Sequence, residues 1–242
     1  MSMVKKTLTF GLIIILLMGC SPTAQSKKHA VTPEVWQITL DPALQWLRPT
    51  ASQCMVDYPG IALSIEESGQ IKAGIIHIGW GEQKNDSTSI FRLANDSPAI
   101  IVNPQNPISQ ITYQTAREVL NGNIRDWNTV DSSAASLGNI QLWNYPSNEG
   151  MYAIYSDWFK NKNRAAAIYQ IAPDPSSMLE AVAKNSSAVG WLPARGLSDG
   201  VKSLKITDHS NELPSIPVLV YLNKNPGNSF QAWIFCMQQK LQ

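Results

Sequence analysis

Residues 106–130 have the sequence NPISQITYQTAREVLNGNIRDWNTV, and this stretch carries the most specific structural pattern in the chain. Thr112 is suited to begin a helix, because its hydroxyl can accept a hydrogen bond from a backbone N–H of the first turn. Apolar residues then recur at helical spacing: Ala116, Val119 and Leu120. Gly122 follows them, as is usual at the left-handed end of a helix. The stretch therefore predicts a one-sided helix of about three turns.

The first twenty residues have the pattern of a secretion signal. Lys5 and Lys6 precede the apolar run Leu8–Leu17, which is short for a membrane-spanning helix. The following residues, Leu17-Met18-Gly19-Cys20, resemble a bacterial lipobox. That resemblance implies that residues 1–19 are cleaved and that Cys20 is lipidated, which would anchor the protein outside the cytoplasmic membrane. The alternative is an uncleaved N-terminal anchor.

The charge balance argues against a nucleic-acid partner. The chain has 19 Lys and Arg against 18 Asp and Glu, and removal of residues 1–19 takes away two lysines, leaving 17 against 18. The basic residues are also scattered along the sequence. Residues 20–34 are mostly small and polar with two prolines, which is typical of a flexible tether. About 210 residues remain, enough for one large or two small domains.

Strand patterns alternate with helical ones along the rest of the chain, which predicts an α/β layer architecture. The predicted strands are Val35–Leu40, Ile61–Ile65, Ile75–Ile78, Pro98–Val102, Asn139–Tyr145, Ala188–Trp191, Val201–Ile206 and Ile216–Leu222. Pro98–Val102 is continuously apolar, as expected for a strand in a sheet that is covered on both faces.

Four further helices are predicted from their starts and apolar faces. Asp41-Pro42 opens one that runs toward Tyr58, and Pro49 should kink or restart it. A helix beyond Gly150 carries four aromatic residues: Tyr152, Tyr155, Trp158 and Phe159. Ser176 and Ser229 are the predicted caps of the last two helices.

The opening stretch closely resembles the entry to the second lobe in phosphate-type substrate-binding proteins of ABC importers, which have the type II periplasmic binding fold. The matching residues are Asn106, Pro107, Ile111, Thr112, Leu120, Gly122, Ile124 and Trp127. The resemblance implies an α/β, two-lobed fold in which each lobe is a mixed sheet flanked by helices. Lobe one would comprise residues 35–102 and 195–242, and lobe two residues 103–194. The hinge would lie near Asn103 and Pro193.

Ligands of open α/β sheets bind outside the carboxyl ends of the strands, where helix N-termini offer free N–H groups. Three turns qualify here, and they supply the candidate ligand-binding residues: Asp41, Trp80, Gly81, Ser147, Asn148 and Gly150. Phosphate binders of this family carry Ser-Gly-Thr in the third turn, whereas this chain has Ser147-Asn148-Glu149-Gly150. The carboxylates of Asp41 and Glu149 would repel a bound oxyanion, so the sequence disfavours phosphate.

Each candidate also has a structural interpretation. Asp41, Ser147 and Asn148 could be plain helix caps, and Trp80 could stack on a ligand or fill the seam between lobes. Three other residues are expected in the core: His77, Trp127 and Trp191.

Cys54 and Cys236 remain as an even pair if Cys20 is acylated. Both fall on apolar helical stripes, so they are either a disulfide or two separate buried thiols.

The sequence contains no nucleophile elbow, zinc-protease or P-loop motif and no metal-ligand spacing. We therefore expect no enzymatic activity, no cofactor and no metal. The resemblance implies a monomeric, lipid-anchored solute-binding protein that captures a small polar or anionic ligand for an ABC permease. The alternative is a binding-fold module that acts as a sensor or a surface interaction protein.

Overall fold

A computed structural model describes residues 34–72, 75–83, 89–147, 150–159, 169–208, 213–223 and 227–242. The described residues all belong to one compact unit, Pro33–Gln242. The predicted signal peptide, Cys20 and residues 21–33 of the tether lie outside the described residues. None of the helices in the described ranges is long and apolar enough to cross a membrane.

The described residues form two five-stranded sheets and a third sheet of two short strands. The twelve strands are β1 Glu34–Leu40, β2 Ile61–Glu67, β3 Ile76–Trp80, β4 Ser89–Asp96, β5 Pro98–Val102, β6 Gln110–Ile111, β7 Gln141–Asn144, β8 Gln170–Ile171, β9 Ala188–Pro193, β10 Lys202–Ser203, β11 Lys205–Ile206 and β12 Ile216–Leu222.

The first sheet has the order β2-β1-β3-β12-β4 and the second has the order β10-β5-β9-β7-β8. In the first, β1 runs parallel to β2 and β3, whereas β12 runs antiparallel to β3 and β4. In the second, β7 runs parallel to β8 and β9, whereas β5 runs antiparallel to β9 and β10. Both sheets are therefore mixed, which confirms the predicted fold class.

Within the described ranges, six α-helices accompany the sheets: α1 Arg48–Gln53, α2 Tyr113–Leu120, α3 Trp127–Val130, α4 Gly150–Trp158, α5 Pro175–Lys184 and α6 Asn228–Leu241. Short 3-10 helices cover Pro42–Leu47, Ser132–Leu137 and Ala194–Gly196. Pro49 restarts the first helical segment as α1, in agreement with the sequence prediction.

The helix of the opening stretch forms as predicted, but it is shorter. The Thr112 hydroxyl accepts a hydrogen bond from the Thr115 N–H, and Gly122 has a φ of 66°. Two other predicted caps are wrong. Asp174, not Ser176, caps α5, because its carboxylate accepts from the Ser177 N–H and leaves Ser176 inside the helix.

The last helix begins two residues earlier than its predicted cap, Ser229, implies. Gly227 precedes α6, with no side-chain cap, so Ser229 lies within the helix rather than before it. The φ of Gly227 is 106°, a conformation that favours glycine.

The strand β4 has no counterpart among the predicted strands. It lies at an edge of the first sheet, where Ile90 and Arg92 are exposed and only one face is covered. Its pairing with β12 includes a register shift between Val218 and Leu219, which interrupts the alternation of buried and exposed residues. A half-covered, irregular strand gives a weak sequence pattern.

The predicted boundary of lobe one after Val102 is wrong by one strand. β5, which the sequence analysis placed in lobe one, pairs with β9 along its whole length in the second sheet. The predicted strand Val201–Ile206 is likewise divided, because β10 pairs with β5 and β11 pairs with β6.

The link from β4 to β5 lies beside the segment that follows β9. The Ala194 N–H donates to the Ser97 carbonyl over 2.8 Å. The Asp96 carboxylate accepts from the N–H groups of Ser97 and Arg195, at 2.8 and 3.2 Å. Burial raises the pKa of Asp96. The chain therefore passes from the first sheet to the second between Asp96 and Pro98. It does not return directly beyond Pro193, because β10, which the sequence analysis placed in lobe one, still pairs with β5 in the second sheet, and the next strand of the first sheet is β12.

Asn103 does not lie at a crossing, in contrast to the predicted hinge. It follows the far end of β5, and its amide donates to the carbonyls of Val182 and Ala183 at 3.2 and 2.6 Å. These are carbonyls of the last turn of α5, so Asn103 ties the second sheet to the end of that helix.

Cys54 and Cys236 form a disulfide with a Cα–Cα distance of 5.9 Å. The bond joins the end of α1 to α6, which packs against the first sheet. Nearby, the Trp233 indole N–H donates to the Ala51 carbonyl over 3.1 Å. The C-terminal helix is thereby attached to α1, within the first lobe.

Candidate functional site

The turn after β3 is held in place by the neighbouring strand β12. Gly81 has a φ of 85°, and its N–H donates to the Pro217 carbonyl over 2.8 Å. The Tyr221 hydroxyl donates to the Gly81 carbonyl and accepts from the Gln83 N–H, at 3.0 and 2.9 Å. The conformation of this predicted site turn is therefore fixed by contacts within the first sheet.

The turn after β1 reaches the start of α4. Asp41 is buried, and its Oδ1 accepts from the Ala43 N–H over 2.9 Å, which confirms the predicted cap of the helix that begins at Pro42. Its Oδ2 lies 3.4 Å from the position that a Cβ atom on Gly150 would occupy. Because Gly150 begins α4, the carboxylate of the first lobe lies against the N-terminal end of a second-lobe helix.

The third predicted turn is only partly described. Ser147 is exposed, Gly150 begins α4, and Asn148 lies outside the described residues. The structure brings Asp41 and Gly150 together and places Gly81 within reach of α4, since a Cβ on Gly81 would lie 3.8 Å from the Ile154 Cδ1 atom.

A cavity of about 460 Å³ lies where these turns meet. It is lined by Gly69, Trp80, Gly81, Glu82, Gln83, Gly150, Ala153, Ile154, Asp157, Trp158 and residues 214–217. One wall comes from the first sheet and its turns, and the other comes from one face of α4. The volume is typical of sites for small molecules. Of the predicted site residues, Trp80, Gly81 and Gly150 line it, whereas Asp41 and Ser147 are not among its described lining residues.

The α4 wall contains three residues that the sequence analysis did not place in the site: Ile154, Asp157 and Trp158. They occur at positions i, i+3 and i+4 and so share one face of the helix. The sequence shows this spacing, but it does not show which aromatic residues face the core. In the structure Tyr155 and Phe159 are the buried ones. Trp158 remains 43% exposed at the cavity.

The ionisable groups that line the cavity are acidic. Glu82 and Asp157 contribute carboxylates, and neither Lys nor Arg occurs among its described lining residues. Ser215 and Gln83 add neutral polar groups. The cavity thus combines two carboxylates with apolar and aromatic walls.

Trp80 packs in the seam between the two sheets and also lines the cavity, so the two interpretations of this residue are compatible. Its ring stacks on Trp191, with 6.3 Å between centroids and 26° between planes. The Trp80 Nε1 atom is buried without a hydrogen-bond partner among the described residues. Trp191, in contrast, donates to the Asn144 Oδ1 atom over 3.0 Å.

Trp191 and Trp127 are fully buried, which confirms their prediction as core residues. Around Trp191, the Tyr145 hydroxyl donates to the Trp191 carbonyl over 2.9 Å, and burial raises the pKa of Tyr145. Asn144 was missed in the sequence, because a polar residue at the end of a strand gives no sign that its side chain is buried.

His77 is also a buried core residue, as predicted. Its Nδ1 atom lies 2.9 Å from the Thr39 hydroxyl oxygen. Burial lowers the pKa of His77 to about 4, so the ring is neutral at pH 7. Within the described ranges, no group of three or more His, Cys, Asp or Glu residues is placed to hold a metal ion.

Comparison with protein-family models and with curated protein sequences finds no match. Solved structures do match. A protein described as a phosphate ABC transporter substrate-binding protein from Clostridium perfringens, with bound phosphate, is 16% identical with a TM-score of 0.73. The match covers 86% of this chain and 96% of that one. An ABC-type phosphate transport receptor from Vibrio cholerae is 18% identical, with a TM-score of 0.57 and coverage of 86% and 96%.

The fold also occurs in a regulator. The reduced regulatory domain of OxyR from Pseudomonas aeruginosa is 12% identical, with a TM-score of 0.61, and the match covers 87% of this chain and all of that domain. Identities this low establish the fold and not the ligand. Together with the two mixed sheets, these matches show that the chain has the two-lobed fold of type II periplasmic binding proteins.

Proposed function

We propose that the protein is a lipid-anchored extracytoplasmic solute-binding protein that holds a small ligand between its lobes and presents it to an ABC-type permease. The observation that carries the proposal is the 460 Å³ cavity, whose walls come from both lobes. A ligand that touches both walls would favour the closed arrangement of the lobes, because it gains contacts there that an open arrangement lacks.

Thermal unfolding tests solute binding. The protein is heated in the presence of a panel of phosphate, sulfate, sugars, amino acids and organic amines. A ligand at 100 times its Kd adds about 2.7 kcal/mol to the free energy of unfolding, which raises the midpoint by several degrees. We expect at least one compound to do so. If no compound in a broad panel shifts the midpoint, the proposed function is contradicted.

A matched pair of variants connects that shift to the cavity. Ala153 is exposed on α4 and lines the cavity, so Ala153→Trp should fill the space and abolish the shift. Ala183 is exposed near the end of α5, outside the cavity lining, so Ala183→Trp should preserve it. Equal shifts in both variants would place the ligand elsewhere.

The lipid anchor rests on the Leu17–Cys20 pattern. Cys20→Ser should prevent lipid attachment, which is measured by incorporation of a labelled fatty acid and by partition between membrane and soluble fractions. Ser21→Ala is the control that keeps the cysteine. Undiminished labelling of the Cys20→Ser variant would contradict the anchor.

A second candidate function is that of a sensor or interaction module without a role in transport. Two observations favour it: the same fold in a regulatory domain, and the stacking of Trp80 on Trp191 across the seam, which adds contacts between the lobes. Cross-linking in native membranes distinguishes the two functions. Cross-links to permease subunits support transport, whereas cross-links confined to other proteins support the alternative.

A further inference from the structure

We infer that the ligand of the cavity is a small organic cation, rather than the phosphate named for two proteins of the same fold. The inference rests on the proposed solute-binding function and adds the chemical class of the solute. It follows from three features of the site: the sign of its charges, the group that lies at the start of α4, and its exposed aromatic wall.

The two carboxylates belong to opposite walls of the cavity. Glu82 lies in the turn fixed by Tyr221 and Pro217, and Asp157 lies near the end of α4. No basic side chain among the described lining residues opposes them. An anion placed between these walls would meet like charges from both lobes, whereas a cation would be attracted by both and would draw the lobes together.

The start of α4 is where an oxyanion would otherwise be held, because the first N–H groups of a helix are free to bind an anion. In this protein the Oδ2 atom of Asp41 lies against Gly150, the first residue of α4. Asp41 is buried, so its charge acts through surroundings that screen it poorly. The protein has placed a carboxylate of its own at this helix end, which disfavours a second anion beside it.

The aromatic wall suits a cation. Trp158 is 43% exposed and lines the cavity four residues beyond Ile154. An ammonium group over an indole face is attracted by the negative potential of the ring, and exposed aromatic walls with a nearby carboxylate recognise organic ammonium groups. In the opposite wall, the buried Trp80 Nε1, which has no hydrogen-bond partner among the described residues, would be satisfied by an oxygen on the ligand.

Isothermal titration of the full-length protein tests the inference. The cations are choline, ethanolamine, putrescine and spermidine, and the comparison compounds are phosphate, sulfate, glucose and the neutral carbon isostere of choline. We expect binding by at least one cation and at least tenfold weaker binding of the neutral isostere or of the anions.

Charge-neutralising variants then locate the cation. Glu82→Gln and Asp157→Asn should each weaken binding tenfold or more, because each removes one charge-assisted contact. Asp199→Asn, at an exposed acid outside the lining, should not change affinity. Trp158→Ala should weaken binding severalfold, and Phe235→Ala, at an exposed aromatic residue of α6, should not. Unchanged thermal midpoints without ligand establish that the variants fold.

The outcomes separate this inference from the proposed function. Preferential binding of phosphate or sulfate, strengthened by Glu82→Gln or Asp157→Asn, would overturn the cationic ligand and leave solute binding intact. Binding of glucose alone, with an affinity that neither variant changes, would also overturn the cationic ligand and leave solute binding intact. Failure of every compound to bind would contradict both.

Discussion

The Oδ2 atom of Asp41 lies 3.4 Å from the position of a Cβ on Gly150, so the first turn of one lobe touches the first residue of a helix in the other. The other oxygen of the same carboxylate accepts from the Ala43 N–H. Asp41 therefore acts both as a local helix cap and as a contact between lobes, and these two roles can be measured separately.

Replacement of Asp41 by Ala should lower the free energy of unfolding by more than the loss of a cap alone, which costs about 1 kcal/mol. Asp131 is the matched control, because it caps the 3-10 helix Ser132–Leu137 through the Ser133 N–H but is exposed. Urea unfolding of Asp41→Ala and Asp131→Ala gives the comparison. Equal losses of unfolding free energy in the two variants would show that Asp41 contributes only as a local cap. Asp41→Asn should retain the capping part, since Asn caps helices as well as Asp does.

Phe substitutions at the two stacked tryptophans, Trp80 and Trp191, should lower the free energy of unfolding by unequal amounts. Trp191→Phe removes one of two donors to the buried Asn144 Oδ1 atom, which still accepts from the Tyr145 N–H, and should cost about 1 kcal/mol in addition to lost packing. Trp80→Phe removes an Nε1 that has no partner among the described residues, so its cost should be smaller. Guanidinium unfolding measures both variants. A larger loss for Trp80→Phe would contradict the hydrogen-bond assignment.

Loss of the Cys54–Cys236 disulfide should strongly destabilise the first lobe. The bond closes a loop with a sequence separation of 182 residues, and loops of that length have predicted contributions of about 5 kcal/mol, although measured ones are usually about 2 to 4. Unfolding of Cys54→Ser/Cys236→Ser against the parent protein gives the value. Mass spectrometry after alkylation without reductant is the direct check, and two labelled thiols in the native protein would disprove the bond.

Stability should fall as the pH is lowered from about 6.5 to about 4, in part through His77. Burial holds the pKa of His77 at about 4 in the folded protein, against 6.5 for an unperturbed histidine. Between these values the unfolded chain binds more protons, so acid favours unfolding, by about 2 to 3 kcal/mol over the whole interval. Urea unfolding as a function of pH should show a shallower slope for His77→Gln. An unchanged slope would assign the effect to other groups.

The features that the sequence predicted well depend on neighbouring residues. The Thr112 cap, the Gly122 end and the Asp41-Pro42 start are set by interactions within a few residues, and all three form. The position of β5 depends instead on pairing with β9, about ninety residues later. The sequence of an apolar strand does not indicate which sheet the strand joins.

The candidate site was predicted in part for the same reason. Turns after strands identified Trp80, Gly81 and Gly150 as neighbours of the seam. The contribution of Asp157 and Trp158 depends on which face of α4 meets the first lobe. Both faces of that helix carry aromatic residues, so periodicity alone does not identify the face that lines the cavity.

The link from β4 to β5 and the segment that follows β9 form a two-stranded ribbon. Pro98 pairs with Pro193 at its base, and the Ala194 N–H donates to the Ser97 carbonyl. Because neither proline has an N–H to donate, the ladder is weakest at that pair. A rotation of the second sheet relative to the first would therefore load this weakly bonded pair first, which makes it the expected pivot of the link between β4 and β5.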